Sequence, residues 1–255
     1  MSVIGIDIGG TGIKGAPVDI RRGALLADRV RILTPSSKKP DPMLQVISDI
    51  VGKFDPPTAI GVTFPGVVMG GVIRSGPNLD KSWVGQDLPA LLKERLGLPA
   101  TVVNDADAAT VAEGAHGAAK GVRGVVLLLT FGTGVGSGML LDGKLVPNTE
   151  LGHLEMDGKD AEKQISEIVR EKKKLSWKKW AARTNDYLAM VEELFSPDLL
   201  VIGGGLDKFS DKWLPLLKAR APLKVATLGN DAGIVGAAMS APRPPVKRAP
   251  TAAKT

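Results

Sequence analysis

Two glycine-rich turns with a carboxylate between them define the chemistry open to this chain. The first is Asp7-Ile8-Gly9-Gly10-Thr11-Gly12, directly after an apolar run, and the second is Gly132-Thr133-Gly134-Val135-Gly136. Asn104-Asp105 lies between them. Without Cβ atoms, backbone N–H groups approach an anionic oxygen closely, so each turn is a candidate phosphate cradle. The cradle residues are Gly9, Gly10, Thr11 and Gly12 in the first turn, and Thr130, Gly132, Thr133 and Gly134 around the second. Asp7 adds a carboxylate suited to Mg²⁺ held through water. A carboxylate able to take a proton from a weak oxygen nucleophile, beside two phosphate cradles, describes phosphoryl transfer. Asp105 is the candidate base, and Asn104 offers a donor and an acceptor to a hydroxylated substrate. Each feature also has a plainer reading. Asp105 would serve equally as a helix N-cap, Lys14 would reach a phosphate or lie on a solvated hairpin, and Gly203-Gly204-Gly205 would be a tight strand-to-helix turn.

Gly10-Thr11-Gly12-Ile13-Lys14-Gly15 also spells the dinucleotide fingerprint. That motif needs a helix to begin inside the loop, so that the helix N-terminus meets a pyrophosphate. Here Ala16-Pro17-Val18-Asp19 and the turn Arg21-Arg22-Gly23 follow, then extended character from Leu25 to Leu33. Pro17 and the turn residues specify a hairpin. Strand, glycine turn, strand, turn, strand resembles the phosphate-binding start of actin- and hexokinase-type ATPase domains.

The elements that must position these residues follow from periodicity. Val3 to Ile8 reads as a buried strand. Asp41 as N-cap and Pro42 at the first position open a helix carrying Met43, Val46, Ile47, Ile50 and Phe54 on one face. Ala59 to Thr63 is a strand, Leu88, Leu91, Leu92 and Leu96 line a helix ended by Gly97, and Thr101 to Val103 is a strand delivering Asn104-Asp105. An alanine-rich helix from Ala106 to Ala115 leads to strands at Val125 to Thr130, Met139 to Leu141 and Leu199 to Ile202, the last running into Gly203-Gly204-Gly205. The expected fold is α/β, two lobes around a cleft. The small lobe spans 1–108, completed by a helix near 231–240, and the large lobe spans 109–230.

The 255 residues allow a substantial core. Cysteine is absent, which excludes disulfides, thiolate metal sites and thiol catalysis. No apolar run reaches ~18 residues and no leader pattern precedes the first strand, so the expectation is a cytoplasmic protein without membrane contact. Of the net charge of +6, residues 241–255 supply +4 through Arg243, Lys247, Arg248 and Lys254. Their Pro, Ala and Lys content specifies a disordered basic tail. A second concentration, residues 159–183, sets nine Lys or Arg against four acids. There Ile165, Ile168, Val169 and Leu175 give a helix-like apolar face, so Lys172, Lys173, Lys174, Lys178 and Lys179 form either its solvated side or a groove for a polyanion.

These motifs resemble the ROK group (repressors, open reading frames, sugar kinases). Asp7-Ile8-Gly9-Gly10-Thr11, Pro77-Asn78, Asn104-Asp105, the second glycine loop, Glu150-Leu151-Gly152-His153 and Gly203-Gly204-Gly205 occur in that group's order across residues 3 to 240. Gly61 to Val68, Asp80-Lys81-Ser82-Trp83 and Leu145 to Glu155 are similar to actinobacterial polyphosphate glucokinases. The resemblance implies transfer of the terminal phosphoryl group of polyphosphate or ATP to the 6-hydroxyl of glucose, with Asp105 as base, Mg²⁺ as cofactor and a homodimer as the assembly. It assigns Asn78, Asn104, Asp105, Glu150 and His153 to the sugar, lets backbone approach it at Gly66, and sets Gly203 and Gly204 beside the donor. Many ROK proteins hold a structural zinc in a cysteine-rich loop after the Gly-His pair. This chain has Gly158 to Ser166 in its place, so the expectation is no zinc, with Glu162 as a further sugar ligand. ROK repressors carry an N-terminal winged helix, whereas here the ATPase-like strand begins at Val3, which removes the main support for a nucleic-acid partner. The alternatives are a strictly ATP-dependent kinase for another hexose and a non-catalytic sugar sensor.

Overall fold

The structure is a computed structural model that describes residues 2–242. The tail expected at 241–255 lies outside the described residues from Arg243 onward. The chain begins with β1 (Val3–Ile8), β2 (Gly12–Asp19), β3 (Ala24–Leu25) and β4 (Val30–Leu33). β2 runs antiparallel to β1 and pairs with both β3 and β4, so the first glycine turn closes a hairpin and no helix starts there. The extended character read over Leu25 to Leu33 is interrupted between β3 and β4. Next come α1 (Pro40–Val51), β5 (Ala59–Phe64), the short hairpin β6 (Val68–Met69) and β7 (Val72–Ile73), α2 (Leu88–Leu96), β8 (Ala100–Asn104) and α3 (Asp105–His116). Two capping expectations shift. α1 starts at Pro40 with Lys39 before it, because Pro40 already fixes the first helical φ and Asp41 is engaged by Arg95. α3 is capped by Asn104, whose Oδ1 accepts from the N–H of Ala106 and Asp107, which leaves Asp105 inside the first turn.

The second half repeats the plan. β9 (Val125–Phe131) and β10 (Val135–Leu141) form an antiparallel hairpin around the second glycine turn, with β11 (Lys144–Val146) beyond. The hairpin β12 (Glu155–Met156) and β13 (Lys159–Asp160), then α4 (Glu162–Ile165), α5 (Glu167–Lys172) and α6 (Trp177–Phe195) precede β14 (Leu199–Gly204). After it come α7 (Ser210–Trp213), β15 (Leu223–Val225) and α8 (Ala232–Ser240). The basic stretch is therefore not one helix: Ser166 separates α4 from α5, and Lys174 at φ 49° separates α5 from α6.

The sheets read β3-β2-β1-β5-β8 and β11-β10-β9-β14-β15, each a hairpin followed by parallel strands. The glycine and alanine content of the middle elements follows from their packing. α8 crosses the first sheet so closely that a Cβ at Gly5 would come 1.9 Å from the Ile234 carbonyl oxygen, and one at Gly61 1.7 Å from that of Ala237. Gly236 lies as tightly on α3, and α3 lies on β10 through Thr110 over Gly138. Small residues here let two helices fit between two sheets. Glu113 of α3, buried, accepts from the N–H of Ala118, Thr227 and Leu228 and joins α3 to the segment before α8. The outer faces carry the large cores: Met43, Ile47 and Ile50 of α1 against β1 and β5, and Trp180, Tyr187 and Leu188 of α6 against β9 and β14. Among the described residues no helix is long and apolar enough to cross a membrane.

Candidate active site

The parallel strands of both sheets end at one cleft, a cavity of about 190 Å³. Asp7 and Lys14 come to it from the first hairpin, Asp105 and Ala106 from the start of α3, Thr130 from β9, Gly203 and Gly204 from β14, and Gly233 from α8. Six of the expected site residues, spread from position 7 to position 204, are thereby brought together.

Asp7 is held in a fixed orientation. Its Oδ1 accepts from Thr63 Oγ1 at 2.9 Å, and its Oδ2 lies 3.5 Å from Lys14 Nζ. Asp105 is exposed at the cleft, yet enough protein surrounds its carboxyl to weaken its solvation. Lost solvation, then the charge of Asp7, push its carboxyl up to about 7, with Glu150 adding to the rise. Lys14 is the one cation among the described residues lining the cavity, facing Asp7, Asp105, Glu113 and Asp207. Excess carboxylate charge of this kind fits Mg²⁺, which takes one or two carboxylates and completes its shell with water and phosphate oxygens.

In the first turn Gly9 N donates to the Gly12 carbonyl at 3.1 Å and Thr34 Oγ1 donates to the Gly9 carbonyl at 2.6 Å. Thr11 and Gly10 are exposed, and a Cβ at Gly10 or at Gly132 would meet no protein atom within 4 Å. Both turns thus leave open space at their tips, where Thr11 and Thr133 are the exposed side chains. Gly204 has φ +94°, a conformation suited to glycine, at the point where β14 turns away from the cleft.

A second group adjoins the first. Glu150, His153 and Glu162 lie together: His153 Nε2 is 3.8 Å from Glu150 Oε2, and its Nδ1 is 3.7 Å from Asp160 Oδ2. Glu162 reaches the second turn, where a Cβ on Gly134 would come 2.4 Å from its Oε2. Desolvation raises Glu150, with His153 opposing and Glu162 assisting. His153, Asp160 and Glu162 bring one ligand atom each within 4.8 Å of one another. Asp160 Oδ2 is already paired with Lys163 Nζ at 2.6 Å, so a metal ion there would have to displace an ammonium.

Asn104 is committed to the fold on three sides: besides its two cap bonds, Nδ2 donates to the Gly66 carbonyl at 3.1 Å. One amide hydrogen remains for a ligand. Asn78 stands apart. Its carbonyl accepts from Lys38, and its exposed side chain makes no hydrogen bond among the described residues.

Sequence reasoning missed several participants. Arg31 of β4 stacks under Gly12, so a Cβ there would meet its Nε at 2.7 Å. Asp107 is buried, accepts from Asn148 N at 2.8 Å, and is pushed up to about 6 by desolvation. Asp207 lines the cleft with a buried, unpartnered Oδ1 and is pushed up to about 7 by desolvation, with Glu113 and Glu167 adding. The signal for Asn148 was its place beside Glu150; Arg31 gave none.

The chain is 46% identical over 237 residues to the polyphosphate glucokinases of Mycobacterium leprae (92% of this chain, 73% of that one) and Mycobacterium tuberculosis (92% and 89%). The crystal structure of the inorganic polyphosphate/ATP-glucomannokinase from Arthrobacter sp. strain KM superposes with a TM-score of 0.89 at 49% identity, covering 93% of this chain and 97% of that one. A ROK family glucokinase from Streptomyces griseus, with glucose and AMPPNP, shares the fold at a TM-score of 0.80 and 24% identity, covering 93% and 98%. The fold is accordingly the actin- and hexokinase-like ATPase fold. Residues 3–167 match the model of the ROK family, and the chain belongs to that family.

Proposed function

We propose that this protein is a glucokinase that transfers the terminal phosphoryl group of inorganic polyphosphate or ATP to the 6-hydroxyl of glucose. The observation that carries it is Asp105, a carboxylate raised to about 7, sharing one cleft with Asp7 and Lys14. A base poised near neutrality takes a sugar hydroxyl's proton while still being ionised enough to act. The hydroxyl proton passes to Asp105 as the new O–P bond forms. The bond from phosphorus to the bridging oxygen breaks, and the shortened polyphosphate or ADP leaves with its electron pair. When bound, Mg²⁺ neutralises charge on the transferring group, and Asp7 is the residue that would hold it. Lys14 and the open tips of the two glycine turns bind the donor, while Asn78, Asn104, Glu150, His153 and Glu162 bind the sugar.

The likeness to polyphosphate enzymes at 46% and 49% identity supports the donor, and the Arthrobacter glucomannokinase favours mannose as a second acceptor. The packing of α8 on β1 and β5 supports a small lobe of residues 1–108 with α8 and a large lobe of 109–230. The resemblance supports a homodimer, the absence of cysteine supports a protein without the thiolate-held zinc, and the kinase relatives support a cytoplasmic enzyme. A coupled assay offering polyphosphate and ATP in turn, with glucose and mannose as acceptors, tests the reading. Absence of glucose turnover with either donor would reject it.

A further inference from the structure

Next to the second glycine turn the surface carries cations that the cleft chemistry does not use. Ile168 N donates to the Gly132 carbonyl at 3.2 Å, which ties α5 to that turn. The first turn of α5 also lies on the end of β14, since a Cβ on Gly205 would come 2.0 Å from Glu167 Oε2. From this corner a chain of aromatic and basic side chains runs outward. The Arg170 guanidinium lies 4.1 Å from the centre of the Trp177 ring, Trp177 packs 5.7 Å from Phe209, and Phe209 carries Lys208 and Lys212 at 5.0 and 5.2 Å. Arg170 Nε is buried without a hydrogen-bond partner, while its Nη2 lies 3.7 Å from Glu171 Oε1. Among the described residues Lys208 and Lys212 make no salt bridge, and neither do Lys172, Lys173 and Lys174. Residues 167–179 and 207–212 together hold eight Lys or Arg against the four acids Glu167, Glu171, Asp207 and Asp211.

We infer that the Arg170, Lys208 and Lys212 face is an extended subsite for the distal units of a linear polyphosphate whose terminal unit sits in the cleft. This rests on the donor reading above. A linear polyanion gains affinity by releasing condensed counterions to basic side chains, as a single-stranded nucleic acid does. Lys208 and Lys212 contribute most, because neither is tied into a close ion pair, although Lys208 lies near enough to Glu167 to act on its carboxyl. Stacking on Trp177 and Phe209 holds the long side chains extended, which lowers the cost of ordering them against the donor. The face begins at Gly205, next to Gly203 and Gly204 of the cavity lining, so a donor extending past that edge of the cleft meets it. ATP ends at its nucleoside and has no distal phosphates to place there. Lys172, Lys173 and Lys174 stand exposed at the far end of α5, with nothing linking them to the cleft.

The test compares wild type, Lys208→Gln/Lys212→Gln, Lys208→Arg/Lys212→Arg and Lys172→Gln/Lys173→Gln/Lys174→Gln. KM is measured for long-chain polyphosphate, tripolyphosphate and ATP across a series of salt concentrations. In the glutamine double variant the ratio of KM for long polyphosphate to KM for ATP rises roughly three- to tenfold, and the slope of log KM against log salt falls by ~0.7 for each lysine–phosphate pairing removed. The arginine pair keeps the wild-type ratio. An unchanged ratio in the glutamine double variant, equal changes for all three donors, or a rise confined to the Lys172 triple variant would each overturn the inference. Wild-type enzyme that uses ATP and never polyphosphate would overturn the donor reading itself, which is a separate result from wild-type turnover with both donors.

Discussion

Asn148 closes both atoms of its amide on Val68, Oδ1 accepting from the Val68 N–H at 3.0 Å and Nδ2 donating to its carbonyl at 2.9 Å. The two residues are 80 apart in sequence, and the Asn148 N–H is held in turn by Asp107. The loop that presents Gly66 is thereby fastened to the loop that presents Glu150. Asn148 has φ 58°, a left-handed conformation that asparagine tolerates and alanine resists.

Asn148→Gly removes both side-chain bonds while keeping the backbone unstrained. It is expected to lower stability by about 1–3 kcal/mol, the cost of removing two partly buried hydrogen bonds. KM for glucose should rise with little change in KM for ATP, because the acceptor side alone loses its fastening. Asn148→Ala, which adds strain, should unfold at lower urea than the glycine variant. Urea titration and paired KM measurements check both statements.

The raised Asp105 carboxyl fixes the direction of two pH effects. Activity requires its ionised form, so kcat should fall as pH drops through about 7. For stability the sign is opposite to that of an ion-paired acid. The folded value lies above the unfolded one, so ionised Asp105 opposes folding above about pH 7, and the penalty fades as pH falls toward the unfolded value of about 4. Asp105→Asn should therefore raise Tm at pH 8 and leave it nearly unchanged at pH 4, which thermal melts at the two pH values would show.

Asp7→Ala should lower kcat with either donor and raise the Mg²⁺ concentration needed for half-maximal rate. It should also move the acid limb of the pH profile downward, since Asp7 is one of the causes that raise Asp105. A limb that stays in place would separate the two carboxylates. Elemental analysis of the purified protein should find no stoichiometric zinc; one equivalent would contradict that expectation, and its loss on His153→Ala would then locate the ion at His153, Asp160 and Glu162.

Much of this was legible in the sequence because the signals are local. Val3 to Ile8 is a continuous apolar run, Pro17 rules out a helix after the first glycine turn, and Gly97 ends α2 at φ 68°. The missed residues depend on long-range partners. Asp107 meets Asn148, Glu113 meets Thr227 and Leu228, and Arg31 reaches Gly12 only because β4 pairs with β2. The shift of the α1 start from Pro42 to Pro40 has the same origin, a salt bridge from Asp41 to Arg95 of α2. The alanines of α3 read as helix formers in sequence, while the confinement of α3 and α8 between two sheets became visible only in three dimensions.

The central claim is that one cleft with Asp105 as its base serves glucose phosphorylation from polyphosphate and from ATP. The most direct measurement is glucose 6-phosphate formation by nucleotide-free wild type and Asp105→Asn, with purified polyphosphate and ATP as separate donors, alongside calorimetric glucose binding. The account predicts turnover by wild type with both donors, a loss of about 10²- to 10⁴-fold in kcat for the variant with each, and glucose affinity largely kept. A variant retaining more than about a tenth of wild-type kcat, a loss below ~1.4 kcal/mol, or impaired with one donor only, would contradict it.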